Sequence, residues 1–108
     1  MSAAEHYSYR VRWSAEDDAY VGTVAEMPSL SWVADERNGA FDGVQRLTAD
    51  VVAEMEASGE TPPAALADRS FSGRFVVRIP AEVHRRLAIE AAEQNVSLNR
   101  LVSARLAG

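Results

Sequence analysis

One alternating segment near the C-terminal end constrains the fold of this 108-residue chain more than any other feature. In Gly73–Pro80, alternate residues point to opposite sides of an extended chain, which predicts a short strand closed by a proline. The apolar side comprises Phe75, Val77 and Ile79, and the other side comprises Arg74, Val76 and Arg78. No second strand pattern follows, so the edge of this strand has no partner within its own unit.

Two helical segments complete this unit. Pro80 suits the first turn of a helix that runs to about Gln94, because its missing N–H would be unpaired there anyway. Asn95 can take the left-handed conformation that ends a helix, and Ser97 is a strong N-cap for a second helix. A strand–helix–helix unit of about 35 residues without cysteine rarely folds alone.

We therefore expect two copies of the unit to pair their strands antiparallel, so that four helices enclose one core. Such pairing would satisfy the strand edge and bury the apolar faces of strand and helices together. The predicted dimer core comprises Phe75, Val77, Ile79, Leu87, Leu98, Leu101 and Val102.

The N-terminal part carries three strand patterns. Alternation in Tyr7–Trp13 predicts a half-buried strand, and the polar turn Glu16–Asp18 leads into a second strand over Ala19–Ala25. Met27-Pro28-Ser29 breaks that pattern, because proline lacks a ladder donor. Leu30–Val33 is the third predicted strand.

A helix follows the third strand. Apolar residues recur every three or four positions over Phe41–Met55, so one stripe of the helix packs onto the sheet. Asp35 is the predicted N-cap and Gly59 the predicted stop. Gly39 and Gly43 each weaken the first turns by roughly 1 kcal/mol relative to alanine. The expected fold class is α+β, with a three-stranded antiparallel sheet covered by one helix.

Composition and charge divide the chain. We predict a sheet-and-helix domain at residues 1–60, a linker at 61–72 and the strand–helix–helix domain at 73–108. The formal net charge of −5 combines −9 up to Asp68 with +4 from Arg69 onward. The chain has no lysine, so arginine supplies every permanent positive side chain. Such a sign reversal predicts two modules with different partners.

Candidate residues for chemistry are few in the N-terminal part. Glu16, Asp17 and Asp18 are of the type that holds Mg²⁺, but the preferred interpretation is a solvated hairpin tip. Five aromatic residues crowd the small sheet, and we expect most of them in the core, while one exposed on the open face would mark a protein interface. They are Tyr7, Tyr9, Trp13, Tyr20 and Trp32.

The remaining composition excludes several classes of protein. The absence of cysteine excludes a disulfide scaffold, a thiol nucleophile and a cysteine-ligated metal, and His6 and His84 are too few for an all-histidine zinc site. The sequence shows no phosphate loop, nucleophile elbow, membrane span or signal peptide. We expect a cytoplasmic protein that uses no cofactor or metal, does not bind a membrane and is not an enzyme.

Short motifs carry a resemblance to a known family. Those in the C-terminal part are Phe71-Ser72-Gly73-Arg74-Phe75, Arg78-Ile79-Pro80, His84-Arg85-Arg86-Leu87 and Val96-Ser97-Leu98-Asn99. Residues 73–106 resemble the ribbon-helix-helix (MetJ/Arc-type) DNA-binding domain, and these motifs are similar to the C-terminal domain of HicB-family antitoxins. The HicB sheet-plus-helix domain, described as partial RNase H-like, is similar through Tyr9-Arg10-Val11-Arg12-Trp13, Tyr20-Val21 and Met27-Pro28-Ser29-Leu30-Ser31.

The resemblance implies a β-ribbon that enters the DNA major groove. On that ribbon, Arg74 and Arg78 would each donate two hydrogen bonds to guanine, and Val76 would contact a thymine methyl group. The N-terminus of the last helix would bind a phosphate. Its predicted donors are the backbone N–H groups of Ser97, Leu98 and Asn99.

The resemblance also implies a role. The chain would be the antitoxin of a type II toxin–antitoxin system, covering a HicA-like mRNA interferase and repressing its own operon as a homodimer, or as a tetramer of two dimers. An acidic N-terminal module suits a basic RNA-cleaving toxin. The alternative is a ribbon-helix-helix regulator without a toxin partner, whose N-terminal domain senses a ligand or assembles oligomers. An enzyme would require a metal–carboxylate site in the N-terminal domain.

Overall fold

The structure is a computed structural model that describes residues 2–108. The chain forms two compact units, the first of which ends at Phe71, while the second comprises Ser72–Gly108. Among residues 2–108, no helix is both long and apolar enough to cross a bilayer.

The first unit is built on a three-stranded antiparallel sheet in the order β1-β2-β3. Its strands are β1 (Tyr9–Ser14), β2 (Ala19–Val24) and β3 (Ser31–Ala34), and a short 3-10 turn at Ala3–His6 precedes them. One long helix, α1 (Arg37–Ala57), packs on one face. The predicted hairpin, the third strand and the covering helix are thus confirmed, as is the α+β class.

Two glycines allow α1 to lie close to the sheet. Gly22, at the centre of β2, pairs with Val11 on one side and with Trp32 on the other. A β-carbon at position 22 would lie 2.5 Å from the carbonyl oxygen of Ala40. A β-carbon at Gly43 would overlap the indole ring of Trp32. The helix therefore rests on Gly22, and Trp32 lies against the helix at Gly43.

The core between α1 and the sheet is small and tightly closed. Its fully buried side chains are Val24, Val44, Thr48 and Val52. The hydroxyl of Thr48 donates a hydrogen bond to the Val44 carbonyl at 2.7 Å, so burial leaves no unpaired polar group at this position. Thr48 belongs to the apolar stripe that the helical spacing predicts.

The ends of α1 differ in how well the sequence predicts them. The N-cap is Glu36, so the prediction of Asp35 is wrong by one residue. The Glu36 side chain makes no capping hydrogen bond. Glu36 still has extended dihedral angles, and the helix begins at the next residue, Arg37. The predicted stop is confirmed: Gly59 has a φ of +81°, and the N–H of Glu60 donates to the Met55 carbonyl at 2.8 Å.

The segment after α1 packs on the first unit. The Tyr7 hydroxyl donates to the Pro63 carbonyl at 2.6 Å, and Ala65 is buried. The Glu26 carboxylate accepts from the backbone N–H groups of Ser8 at 2.8 Å and Leu66 at 2.9 Å. Residues 63–66, which lie within the predicted linker, are thereby held against the start of β1 and the end of β2.

These contacts shift two pKa values in opposite directions. Burial raises the pKa of the Glu26 carboxyl, but the N–H donors of Ser8 and Leu66 outweigh it and hold that pKa below its ordinary value of 4.5. Burial raises the pKa of the Tyr7 phenol, and the nearby charge of Glu26 adds to this effect. Glu26 is therefore an ionised anchor for the segment.

The second unit contains two helices, α2 (Ala81–Glu93) and α3 (Leu98–Ala107). Pro80 is the N-cap of α2, one position before the predicted first turn. Asn95 has a φ of +58°, and the Ser97 hydroxyl accepts from the Arg100 N–H at 3.0 Å. The predicted helix stop and the predicted second N-cap are both confirmed.

The strand predicted over Gly73–Pro80 is not formed in the single chain, where these residues have no regular secondary structure. A β-strand needs a neighbour to accept and donate its ladder hydrogen bonds. The second unit contributes α2 and α3 but no other strand to the described residues. The alternating pattern is therefore present without the pairing that would make it a strand.

Candidate dimer groove and nucleic-acid interface

An apolar groove of about 630 Å³ lies between Phe75–Ile79 and the helices of the second unit. Its residues come from the segment before α2, from the inner side of α2 and from α3. The groove is lined by Phe75, Val77, Ile79, Val83, His84, Leu87, Leu98, Asn99, Val102 and Leu106. His84 and Asn99 are its polar members, so the lining is mostly hydrocarbon.

The structure brings the predicted dimer-core residues together at this groove. All of them line it except Leu101, which is 6% exposed and is already buried within the unit. Phe75, in contrast, is 75% exposed in the single chain. Burying a side chain of this size contributes about 1.5–3 kcal/mol relative to leaving it in water. The exposed apolar segment and the groove form an incomplete core.

The predicted base-contacting residues lie on the same segment. Arg74, Val76 and Arg78 are exposed, and Val76 reaches 92%. Gly73 has a φ of +84°, and the N–H of Arg74 donates to the Ser72 hydroxyl at 3.1 Å. The chain thus turns just before the segment, and its two arginines remain in solvent.

The predicted phosphate-binding residues lie at the N-terminus of α3. The Ser97 hydroxyl is used in capping, as it accepts from Arg100. The N–H groups of Leu98 and Asn99 belong to the first turn, where a helix offers no carbonyl acceptor. Together with the positive end of the helix dipole, they form a position suited to a phosphate oxygen.

The arginines of α2 and α3 differ in whether they form an ion pair within the unit or lie exposed to solvent. The guanidinium of Arg105 forms an ion pair with the Glu90 carboxylate. Arg85, Arg86 and Arg100 are exposed on α2 and α3. Exposed arginines attract phosphate backbones without reading sequence.

The aromatic residues of the first unit are less buried than the sequence suggests. Tyr7 is in the core, but Trp13 and Trp32 are both exposed, although the register places them on the sheet face that carries α1. The expectation that most aromatics lie in the core is wrong for the tryptophans. Trp32 lies on the outer strand β3 beside Gly43 of the helix, and Trp13 lies at the hairpin end of β1, so α1 leaves a large part of each indole in solvent.

The acidic hairpin tip is a hydrogen-bonded turn. The Ser14 hydroxyl donates to the Asp17 carboxylate at 3.0 Å and accepts from the Asp17 N–H at 3.2 Å. Asp18 has a φ of +50°. Within residues 2–108, no three histidine, aspartate or glutamate side chains are placed to hold a metal ion together.

Comparison with known proteins gives one finding. The model of the HicB family matches residues 56–106, which span the end of α1, the segment that follows it and nearly all of the second unit. Neither the search of curated proteins nor that of solved structures gives a match. Over residues 56–106 the chain is therefore similar to the HicB family, and this similarity supports a role related to toxin–antitoxin systems.

Proposed function

We propose that this chain is an antitoxin that neutralises an mRNA-interferase toxin of the HicA type and represses its own operon as a DNA-binding homodimer. The observation that carries the proposal is the exposed apolar side of residues 75–79 beside the apolar groove. The HicB family match over the same part of the chain supports it.

Dimerisation follows from the incomplete core. If the segment 74–79 pairs antiparallel with its copy, its backbone groups find partners and its apolar side covers both grooves. Phe75, Val77 and Ile79 would then leave water together. A unit of this size gains the apolar burial that it cannot obtain alone.

DNA binding follows from the other side of the paired strands. Because side chains alternate, pairing that buries Phe75 and Val77 leaves Arg74, Val76 and Arg78 on the outer side of a two-stranded ribbon. A ribbon of this kind fits the major groove, where arginine recognises guanine through two hydrogen bonds. The N-terminus of α3 would hold a phosphate and set the register.

Toxin neutralisation is supported by charge. The chain up to Asp68 carries a formal charge of −9. An RNA-cleaving protein needs a basic surface to hold its substrate, so opposite charge would steer the two proteins together. The N-terminal unit would thereby compete with RNA for the toxin.

The test of DNA binding is a mobility-shift titration at fixed salt with the DNA upstream of the chain's own gene. We expect Arg78→Ala to weaken specific binding by about 1–3 kcal/mol. The matched control is Arg46→Ala, which removes the same charge from the exposed side of α1. Equal affinity of the Arg78→Ala variant and the parent would show that the ribbon assignment is wrong.

The test of toxin neutralisation is co-purification with the product of the neighbouring reading frame, followed by an RNA-cleavage assay of that product. We expect a stable complex in which cleavage is suppressed. A chain that binds the upstream DNA but neither retains nor inhibits the neighbouring product would be a regulator without a toxin partner.

A further inference from the structure

A solvent-exposed aromatic pair lies at one corner of the first unit. Trp13, the last aromatic of β1, packs edge-to-face on Tyr20, with ring centroids 5.1 Å apart and an interplanar angle of 72°. The guanidinium of Arg37 lies 5.5 Å from the centroid of the Tyr20 ring. Trp13 is 52% exposed. The indole is therefore held in place on one side and open to solvent on the other.

Carboxylates collect at the same end of the sheet. The register pairs Trp13 with Tyr20 and Tyr20 with Ala34, so the hairpin loop and the junction between β3 and α1 lie at one end. This end carries five exposed carboxylates: Glu16, Asp17, Asp18, Asp35 and Glu36. We name the aromatic pair, Arg37 and these carboxylates the hairpin-tip patch.

The open face of the sheet, opposite α1, carries positive side chains. Arg10 and Arg12 project from β1 on that face, and Arg12 lies in register with Val21, which pairs with Val33. Val33 is 54% exposed, about as much as Trp13. Two faces of one small sheet thus offer exposed apolar side chains in opposite electrostatic surroundings.

We propose that the hairpin-tip patch is where a basic protein docks, with the Trp13 indole as the anchor and the carboxylates as the rim; under the function proposed above, that protein is the toxin. Anchors of interfaces are typically aromatic side chains that lose water on binding, surrounded by polar residues. Trp13 has the apolar area and is pre-oriented by Tyr20, so binding orders little. The negative rim favours a lysine- or arginine-rich surface, which the open face with Arg10 and Arg12 would repel.

The experiment measures binding of the full chain to the purified product of the neighbouring reading frame by isothermal titration calorimetry. We expect Trp13→Ala to weaken binding at least about tenfold, as for an interface anchor. Val33→Ala removes an equally exposed apolar side chain from the opposite face, and we expect it to leave the affinity unchanged. Circular dichroism verifies that both variants are folded.

Charge variants test the rim without touching the aromatic pair. We expect Asp35→Asn combined with Glu36→Gln to slow association several-fold at low salt, with the difference shrinking as salt rises. The charge-matched control is Glu54→Gln combined with Glu56→Gln, at the opposite end of the 21-residue α1. Surface substitutions of this kind are usually within about 0.5 kcal/mol in stability, so folding is preserved.

The outcomes separate the two proposals. If the parent chain binds and both patch variants bind equally well, the hairpin-tip patch is not the docking surface, while the proposed antitoxin role stands. If the parent chain does not bind the neighbouring product at all, the antitoxin role and the docking surface are both overturned. Loss of binding in Val33→Ala instead would place the interface on the open face.

Discussion

Substitution of Gly22 by alanine tests the packing of α1 on the sheet. The added β-carbon would lie 2.5 Å from the Ala40 carbonyl oxygen and 2.8 Å from Cγ1 of Val44, whereas ordinary contacts begin at 3.4 Å. One obstacle is backbone and the other is a fully buried β-branched side chain, so neither can rotate away. The helix must move from the strand by a large part of 1 Å.

The cost has two opposing contributions. Overpacking of a closed core costs about 1–3 kcal/mol, and this site belongs in the upper half of that range because α1 has to move as a body. Alanine returns roughly 0.5–1 kcal/mol, because it loses less backbone entropy than glycine on folding. We therefore expect Gly22→Ala to lower the free energy of unfolding of the first unit by about 1–2 kcal/mol.

Tryptophan emission during urea unfolding measures this loss. The chain has two tryptophans, Trp13 and Trp32, and both lie in the first unit, so emission reports on that unit alone. With a urea slope of about 1–3 kcal/mol per molar, the loss of about 1–2 kcal/mol should lower the midpoint by roughly 0.3–2 M. The control is Thr23→Ala, one residue further along β2 on the face opposite α1.

The reasoning would be refuted by a Gly22→Ala variant as stable as the parent or more stable than it. Such a result would mean that α1 does not contact β2 at its centre. An equal loss in Thr23→Ala would refute it as well, since the effect would then reflect the strand and not the helix contact.

Two further predictions concern the hydrogen bonds that the Glu26 carboxylate accepts from Ser8 and Leu66, and the dimer groove. Folding lowers the pKa of the Glu26 carboxyl, so its contribution to the free energy of unfolding is fully present above its ordinary pKa of 4.5 and is lost as pH falls through the lower folded value. We therefore expect Glu26→Gln to be less stable than the parent by about 1 kcal/mol at pH 7. Thermal unfolding curves of the two proteins should converge in acid. A charge in the groove should prevent pairing, so Val77→Asp should raise the dimer dissociation constant at least about 100-fold in sedimentation equilibrium. Val76→Asp, on the outer side, should leave the dimer intact, and a dimer that survives Val77→Asp would contradict the groove assignment.

The sequence predicts the first unit better than it predicts the unit's surface. Strand alternation, the break at Pro28 and the helical spacing locate every regular element of that unit apart from its short 3-10 turns, because each signal is carried by neighbours along the chain. Glu26 shows the limit of such reasoning. Nothing in the local pattern indicates that its carboxylate accepts from Leu66, 40 residues away.

The candidate dimer groove was also predicted from the sequence only in part. Alternation alone singles out Phe75, Val77 and Ile79, and the structure adds that helix residues complete one groove beside them. The expected strand is not formed in the single chain, because its ladder hydrogen bonds must come from outside the unit. The sequence predicts only part of the hairpin-tip patch. The acidic turn can be recognised from the sequence, but the exposure of Trp13 cannot.

By itself, the sequence determined the helix stops at Gly59 and Asn95, the cap at Ser97 and the division of charge between the two parts. These depend on single-residue conformational preferences and on composition, which need no knowledge of distant contacts. Only the tertiary structure decided that Gly22 is the contact point of the helix and that Trp13 remains in water. Close approach and exposure depend on which surfaces meet, and in this unit the single helix leaves both tryptophans partly uncovered.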